Sequence, residues 1–288
     1  WHSYPGTAPQ DTGIVITDRC RRFDGVELAL ERDDVSAFVF DLMTLLSLVE
    51  TLDDHSLRKN QILRELARVF ALIYQVPAEA PESLWRPPLA AAREIMRPLL
   101  EKTNGPTTPR IGIIGHSHMD TAWLWPVAET WRKVARTSSS IANLMEQYPE
   151  FLFVQSSPRH TEAMRQLYPS VFAAVRRLVA AGRYEPNGGM WVEADCNLTG
   201  GEALVRQFLL GQRWCRQWLD YTADTLWLPD VFGYSAALPQ ILRGVGIEFF
   251  CTTKMAWNDT TRFPFDTFHW QGVDGTTVVA HLNAMHCW

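Results

Sequence analysis

The stretch with the densest chemistry is Ile111-Gly-Ile-Ile-Gly-His-Ser-His-Met-Asp-Thr-Ala-Trp-Leu-Trp-Pro126, which carries His116, His118 and Asp120 and closes on Trp123 and Trp125. His118 and Asp120 are two positions apart, so in extended chain they point to the same side. Imidazole and carboxylate together suit Zn²⁺ and similar divalent ions. Two later groups have the right residue types to join them. Asp230, in Leu226-Trp-Leu-Pro-Asp-Val-Phe-Gly-Tyr-Ser235, can serve as a ligand or simply as a helix cap. Glu193 and Asp195, which follow Trp191 in Gly188-Gly-Met-Trp-Val-Glu-Ala-Asp-Cys-Asn197, offer two carboxylates or form an acidic surface loop. His118, Asp120 and Asp230 would give one cation three ligands and an open position, which favours catalysis or substrate binding over a structural role. Carboxylates beyond the cation's needs would suit hydrolysis of a glycosidic bond, which uses two.

These groups need a frame, and the apolar pattern describes one. Short apolar runs predict strands at Ile111–Gly115, Phe151–Gln155, Thr225–Leu228, Phe249–Thr252 and Thr277–His281, the first as a buried strand. Amphipathic runs predict helices over 127–147, 158–181, 201–219 and 236–245. In the second of these, Ser157 is the expected cap, Pro158 the first helical residue, Pro169 a break and Gly182 the stop. Strands alternating with helices imply an α/β fold whose mostly parallel sheet is flanked by helices. Sites in such sheets gather at the carboxyl ends of strands, where His118, Asp120 and Asp230 fall.

The preceding part reads differently. Residues 1–104 are expected to form a mainly helical N-terminal region and residues 105–288 an α/β domain that would carry the catalytic chemistry, and the expectation is that it is cut short at its C-terminal end. Asp33 or Asp34 is the expected cap of a helix through Phe38 to Val49. A second helix is expected from Ser56 to Ile73 and a third from Ala90 to Glu101. Before them stands one short strand-like run, Gly13-Ile-Val-Ile-Thr17. Asn104-Gly-Pro-Thr-Thr-Pro109 has a linker's composition. No clustered catalytic residues occur in this part.

Bulk composition narrows the classes. A net charge of −5 over 288 residues argues against sequence-independent nucleic-acid binding, which needs a basic surface. No apolar run approaches the ~20 residues of a membrane span, and no signal peptide is expected. The five cysteines, Cys20, Cys196, Cys215, Cys251 and Cys287, are scattered without a CxxC pair, so a reducing, cytoplasmic setting is expected. Twelve tryptophans suit a large core, and those beside polar candidates also suit stacking on sugar rings. A homo-oligomer is compatible with all of this.

The motifs His116-Ser-His-Met-Asp120 with Trp123, Gly188-Gly-Met-Trp-Val-Glu193, Gly200-Gly-Glu-Ala-Leu-Val-Arg-Gln-Phe208 and Trp227-Leu-Pro-Asp-Val-Phe-Gly-Tyr-Ser-Ala236 resemble, in order, those of glycoside hydrolase family 38, the class II α-mannosidases. The wording is similar to that of the cytosolic, bacterial-like branch, and the likeness covers about residues 31–288. The resemblance implies a seven-stranded barrel-like α/β domain and an exo-acting, retaining α-mannosidase acting on mannosides or mannose-containing oligosaccharides. It implies a divalent metal, Zn²⁺ or alternatively Co²⁺, held by His118, Asp120 and Asp230. Asp230 would also be the nucleophile and Trp123 a platform for the sugar. Trp191, Glu193, Asp195 and Lys254 would bind substrate, Lys254 standing where some members place an Arg. His116 would support the ligands from behind. The family's fourth ligand, a His, and its acid/base Asp come later than any matching residue here. His281 and His286 read as structural, and of the nearby acids Glu193, Asp195, Asp259 and Asp266 none matches the acid/base. The expectation is therefore a fragment with little or no activity alone. A non-catalytic metal- or carbohydrate-binding fragment is the alternative. A metal-dependent sugar deacetylase would need a His-x-x-x-His ligand set that is not found.

Overall fold

The computed structural model describes residues 30–109, 111–256, 260 and 263–283. The chain divides into two compact units between Pro109 and Arg110. The run Gly13–Thr17, Asp259 and His286 lie outside the described residues.

In the first unit, α1 (Asp33–Thr51), α2 (Leu57–Leu72), a single turn α3 (Glu82–Trp85) and α4 (Pro88–Leu100) follow one another. Their apolar faces meet in one core of Phe38, Leu45, Ile62, Val69, Leu89, Ala92 and Met96. Ser56 caps α2 by accepting the Lys59 N–H. The N-cap of α1 is Arg32 rather than either aspartate. Asp33 and Asp34 occupy the first turn, where a carboxylate favours the positive end of the helix dipole.

The second unit alternates strands and helices. Its elements are β1 (Gly115–His116), α5 (Val127–Gln147), β2 (Phe153–Val154), α6 (Pro158–Leu167), α7 (Pro169–Ala180), β3 (Tyr184–Glu185), α8 (Gly201–Leu219), β4 (Thr225–Trp227), α9 (Leu238–Gly244), β5 (Phe249–Thr252), β6 (Thr267–Gln271) and β7 (Thr277–Leu282). The α/β class with mostly parallel strands is as expected, but among the described residues the seven strands form two sheets, not one barrel-like sheet. One is parallel, in the order β1-β2-β3. The other runs β4-β5-β7-β6, with β6 antiparallel to β7. Between β3 and β4 the ladder is reduced to one bond, from Gly188 N–H to the Thr225 carbonyl. The cause is local: Gly188 and Gly189 take φ of 117° and 72°, values open to glycine, and turn the chain away before it can pair further.

Two further departures have clear reasons. The first strand is much shorter than its apolar run, and Ile111 and Ile113 are 85% and 87% exposed rather than buried. Pairing starts only at Gly115, whose lack of a side chain lets the Phe151 ring close over it; a Cβ there would lie 2.8 Å from that ring. Ser157 does precede α6, but its side chain caps nothing, because its backbone is left-handed at φ 62°. Pro169 and Gly182 act as expected, splitting α6 from α7 and ending α7 in a left-handed turn.

Helix α8 ties the two sheets together. Leu204 and Phe208 at its start enter the core around Leu226, Leu228, Phe250 and Ala280. Trp214, Cys215 and Leu219 at its end enter the core around Phe153, Met164, Val175 and Tyr184. Midway, Gly211 lies against the loop after β3, and a Cβ there would sit 2.2 Å from the Gly189 carbonyl oxygen. That is a backbone contact and cannot be relieved by rotating a side chain. Gly211→Ala is therefore expected to lower stability by about 2 kcal/mol or more in urea unfolding. Gly244→Ala, at a helical position with open space around it, is expected to be neutral or to gain up to about 1 kcal/mol.

Candidate active site

Each of the strands β1 to β5 is followed by a polar residue beyond its carboxyl end. His118 and Asp120 follow β1, Ser156 and Ser157 follow β2, Glu193 follows β3, Asp230 follows β4 and Lys254 follows β5. A cavity of about 240 Å³ is lined by His118, Met119, Asp120, Thr121, Ala122, Ser157, Val192, Glu193, Asp230 and Val231. The motif segments far apart in sequence thus meet in one place.

His118 is the hub. Its Nε2 lies 3.4 Å from Asp120 Oδ1 and 3.4 Å from Asp230 Oδ2. Its Nδ1 lies 3.1 Å from Glu193 Oε2, an ion-pair contact that is not aligned as a hydrogen bond, and neither atom has a hydrogen-bond partner elsewhere. Burial disfavours a charged imidazole, but hydrogen bonds to Asp120, Asp230 and Glu193 outweigh it and push the His118 pKa up to about 12. Asp230 is held on its other side, with Oδ1 at 2.6 Å from Lys254 Nζ, whose side chain is 3% exposed. Burial raises the Asp230 pKa, yet the hydrogen bonds from His118 and Lys254 win and hold it below the ordinary aspartate value. At neutral pH it is a carboxylate, the form a nucleophile or a metal ligand needs.

Two donor sets lie close enough to share an ion: His118, Asp120 and Asp230, or His116, His118 and Glu193. Their hydrogen bonds decide between them. His116 Nδ1 lies 2.9 Å from the Val154 carbonyl and so carries the proton, and His116 Nε2 accepts from Trp227 Nε1–H at 3.4 Å. Burial, the largest influence, lowers the His116 pKa and keeps the ring neutral. With both nitrogens engaged, His116 bridges β1, β2 and β4 and has no lone pair to offer. Glu193 Oε1 is likewise occupied by the Ser156 hydroxyl. His118 Nε2, Asp120 and Asp230 instead converge on one another, and a cation would take the place of the proton on Nε2. One imidazole nitrogen and two carboxylates fit a divalent cation of the zinc type.

The other sequence candidates lie elsewhere. Asp195 turns back to accept the Asn197 and Leu198 N–H groups, so it shapes the loop. Trp191 packs its ring edge-on against Trp214, at the margin of the core. Trp123 is about half exposed and stands edge-to-face with Trp125; neither Trp123 nor Lys254 lines the cavity wall. His281 Nδ1 bonds the Thr267 hydroxyl across the β6–β7 pair, away from the cavity. Among the described residues, Asp120, Glu193 and Asp230 are the only carboxylates lining the cavity.

The same fold segment, residues 108–287, matches the family model of the glycosyl hydrolases family 38 N-terminal domain. This chain belongs to glycosyl hydrolase family 38. Among family 38 relatives, it is 40% identical to the mouse protein named Alpha-mannosidase 2C1 over 256 residues, 89% of this chain and 24% of that protein. It is 42% identical to Alpha-mannosidase of Saccharomyces cerevisiae over 170 residues, 59% of this chain and 16% of that protein. The chain thus spans about a quarter or less of the length of these relatives. An alpha-mannosidase structure from Enterococcus faecalis superposes with a TM-score of 0.51 at 23% identity, over 59% of this chain and 20% of that one, a likeness of fold.

Two residues beside this cavity were not legible in the motifs. Ser157 lines the cavity in a left-handed conformation that costs a non-glycine residue about 1–3 kcal/mol. His160, 2% exposed on α6, holds the Asp120 loop through a 3.1 Å contact of Nε2 with Thr121 Oγ1. Burial is the main cause that lowers the His160 pKa to about 4. Its stabilising effect is complete above the ordinary histidine pKa near 6.5 and is lost as pH falls toward 4, because the unfolded chain takes up the proton first. Over that window one proton gives a slope of about 1.4 kcal/mol per pH unit. Chemical denaturation of His160→Gln between pH 4 and 7 should therefore show a pH dependence weaker than wild type by about that slope.

Proposed function

We propose that this chain carries the cation-binding and nucleophile half of an exo-acting, retaining α-mannosidase. The observation that carries the reading is the convergence of His118 Nε2, Asp120 and Asp230, with their donor atoms all within 4.8 Å, at the strand ends of a family 38 chain. Zn²⁺ is the proposed ion, and Co²⁺ suits the same donors. When bound, the ion supplies a positive charge that can engage sugar hydroxyls and help distort the ring. Asp230, kept ionised by Lys254, attacks the anomeric carbon. The bond from that carbon to the leaving oxygen breaks with its electron pair, and an ester to Asp230 forms. Trp123, at the end of the same loop, offers an aromatic face to the sugar. Glu193 and Asp195 are too engaged with protein partners to protonate the leaving group. Among the described residues the cavity holds no further carboxyl group for that step, and on this reading the chain alone hydrolyses ordinary aryl mannosides weakly or not at all. A cytoplasmic setting suits the free, buried thiols of Cys196, Cys215 and Cys251.

The missing proton donor suggests the test. A dinitrophenyl α-mannoside has a leaving group that needs no proton. Incubated with the Zn²⁺-loaded protein, it should leave one mannosyl unit on the peptide containing Asp230, detected by mass spectrometry, and none on Asp230→Ala. A chelator should abolish labelling, and Zn²⁺ or Co²⁺ should restore it. Labelling that survives in Asp230→Ala would contradict the nucleophile assignment. Sugar binding without any labelling would favour a non-catalytic, metal- and carbohydrate-binding piece.

A further inference from the structure

The carboxylate of Glu193 has a place that neither the cavity chemistry nor its neighbours in sequence explain. Its two oxygens face two different protein groups. The Ser156 hydroxyl donates to Oε1, and Oε2 stands 3.1 Å from His118 Nδ1. His118 Nε2 then faces Asp120 and Asp230 on the opposite side of the ring. Ser156, Glu193, His118 and the Asp120–Asp230 pair therefore form one line of contacts running from the end of β2 into the cavity. We propose that Glu193 is a positioning residue for the cation site: it accepts a hydrogen bond from His118 Nδ1–H, which fixes the tautomer and ring plane and leaves Nε2 as the donor to the ion. A carboxylate behind a ligand histidine also makes the imidazole a better donor. This rests on the metal reading above.

The surrounding chain is arranged to hold that line. Gly188 comes so near Ser156 that a Cβ would lie 3.0 Å from the serine Cβ, and its φ of 117° closes the position to other residues. The loop from Gly188 to Glu193 is pinned to α8 by two bonds to one residue: Trp191 N–H to the Gln207 carbonyl and Val192 N–H to Gln207 Oε1. Glu193 leaves this loop with its side chain mostly buried, so its carboxylate is delivered to His118 rather than offered to solvent.

The test is a competition titration of Zn²⁺ against a chromophoric chelator at fixed pH, using the purified protein. Wild type should bind, and Glu193→Ala should bind about 10–100-fold more weakly. Glu193→Gln should fall between them, because an amide oxygen still accepts the Nδ1 proton but carries no charge. Ser156→Ala, which frees only Oε1, should cost a few-fold and carries the test if Glu193→Ala does not fold, as judged by circular dichroism. A purely structural role would lower the urea midpoint without ranking Ala below Gln in Zn²⁺ affinity. Folded Glu193→Ala that binds Zn²⁺ within about twofold of wild type overturns the inference and leaves the metal reading standing. A wild-type protein that binds no Zn²⁺ overturns both.

Discussion

Charge balance at His118 governs this molecule. Three carboxylates, from Asp120, Glu193 and Asp230, surround one imidazole in a partly buried cleft. Collecting like charges away from water is costly unless a positive partner joins them. Lys254 answers for one face of Asp230. The face turned toward Asp120 and His118 is balanced by a protonated ring or by a cation that takes its place. Most of the unusual local features in the α/β unit serve to bring these groups together from separate strand ends. The neutral His116 bridge, the glycine turn at Gly188 and Gly189 and the bare Gly211 of α8 each admit a close approach that an ordinary residue would block.

The proposed ligands are legible because the chemistry is dense over short spans. His118 and Asp120 sit two positions apart after a strand, and Asp230 follows another, so residue type and spacing point to them before any coordinates. The long helices were equally plain, since α1, α2, α5 and α8 each hold an apolar stripe over several turns. Short-range pattern fails where pairing is shortest. β3 is two residues and carries no period to read. β6 does alternate, and the Asp274-Gly275 turn before β7 is a hairpin signal that a closer reading of Thr267–Gln271 could have used. The long apolar run before His116 misled in the other direction, because hydrophobicity does not say where a ladder starts.

What sequence could not show is which member of a cluster touches which. Asp195 and Glu193 are near neighbours of the same type, yet one shapes its own loop and the other reaches His118. The difference comes from where the Gly188 turn and Gln207 set the backbone, a tertiary fact. His160 and Ser157 were invisible as site residues for the same reason. One is a buried helix residue, and the other is a serine whose strained backbone appears only when the chain is folded around the cavity.

The central claim is that His118 Nε2, Asp120 and Asp230 hold one divalent cation. A crystal structure of the protein grown with Zn²⁺, with anomalous data across the zinc edge, tests it most directly. The account predicts a single strong anomalous peak bonded to His118 Nε2 and to a carboxylate oxygen each from Asp120 and Asp230, with His118 Nδ1 facing Glu193. A peak at His116 and Glu193, or none in this cleft with zinc in excess, would contradict it.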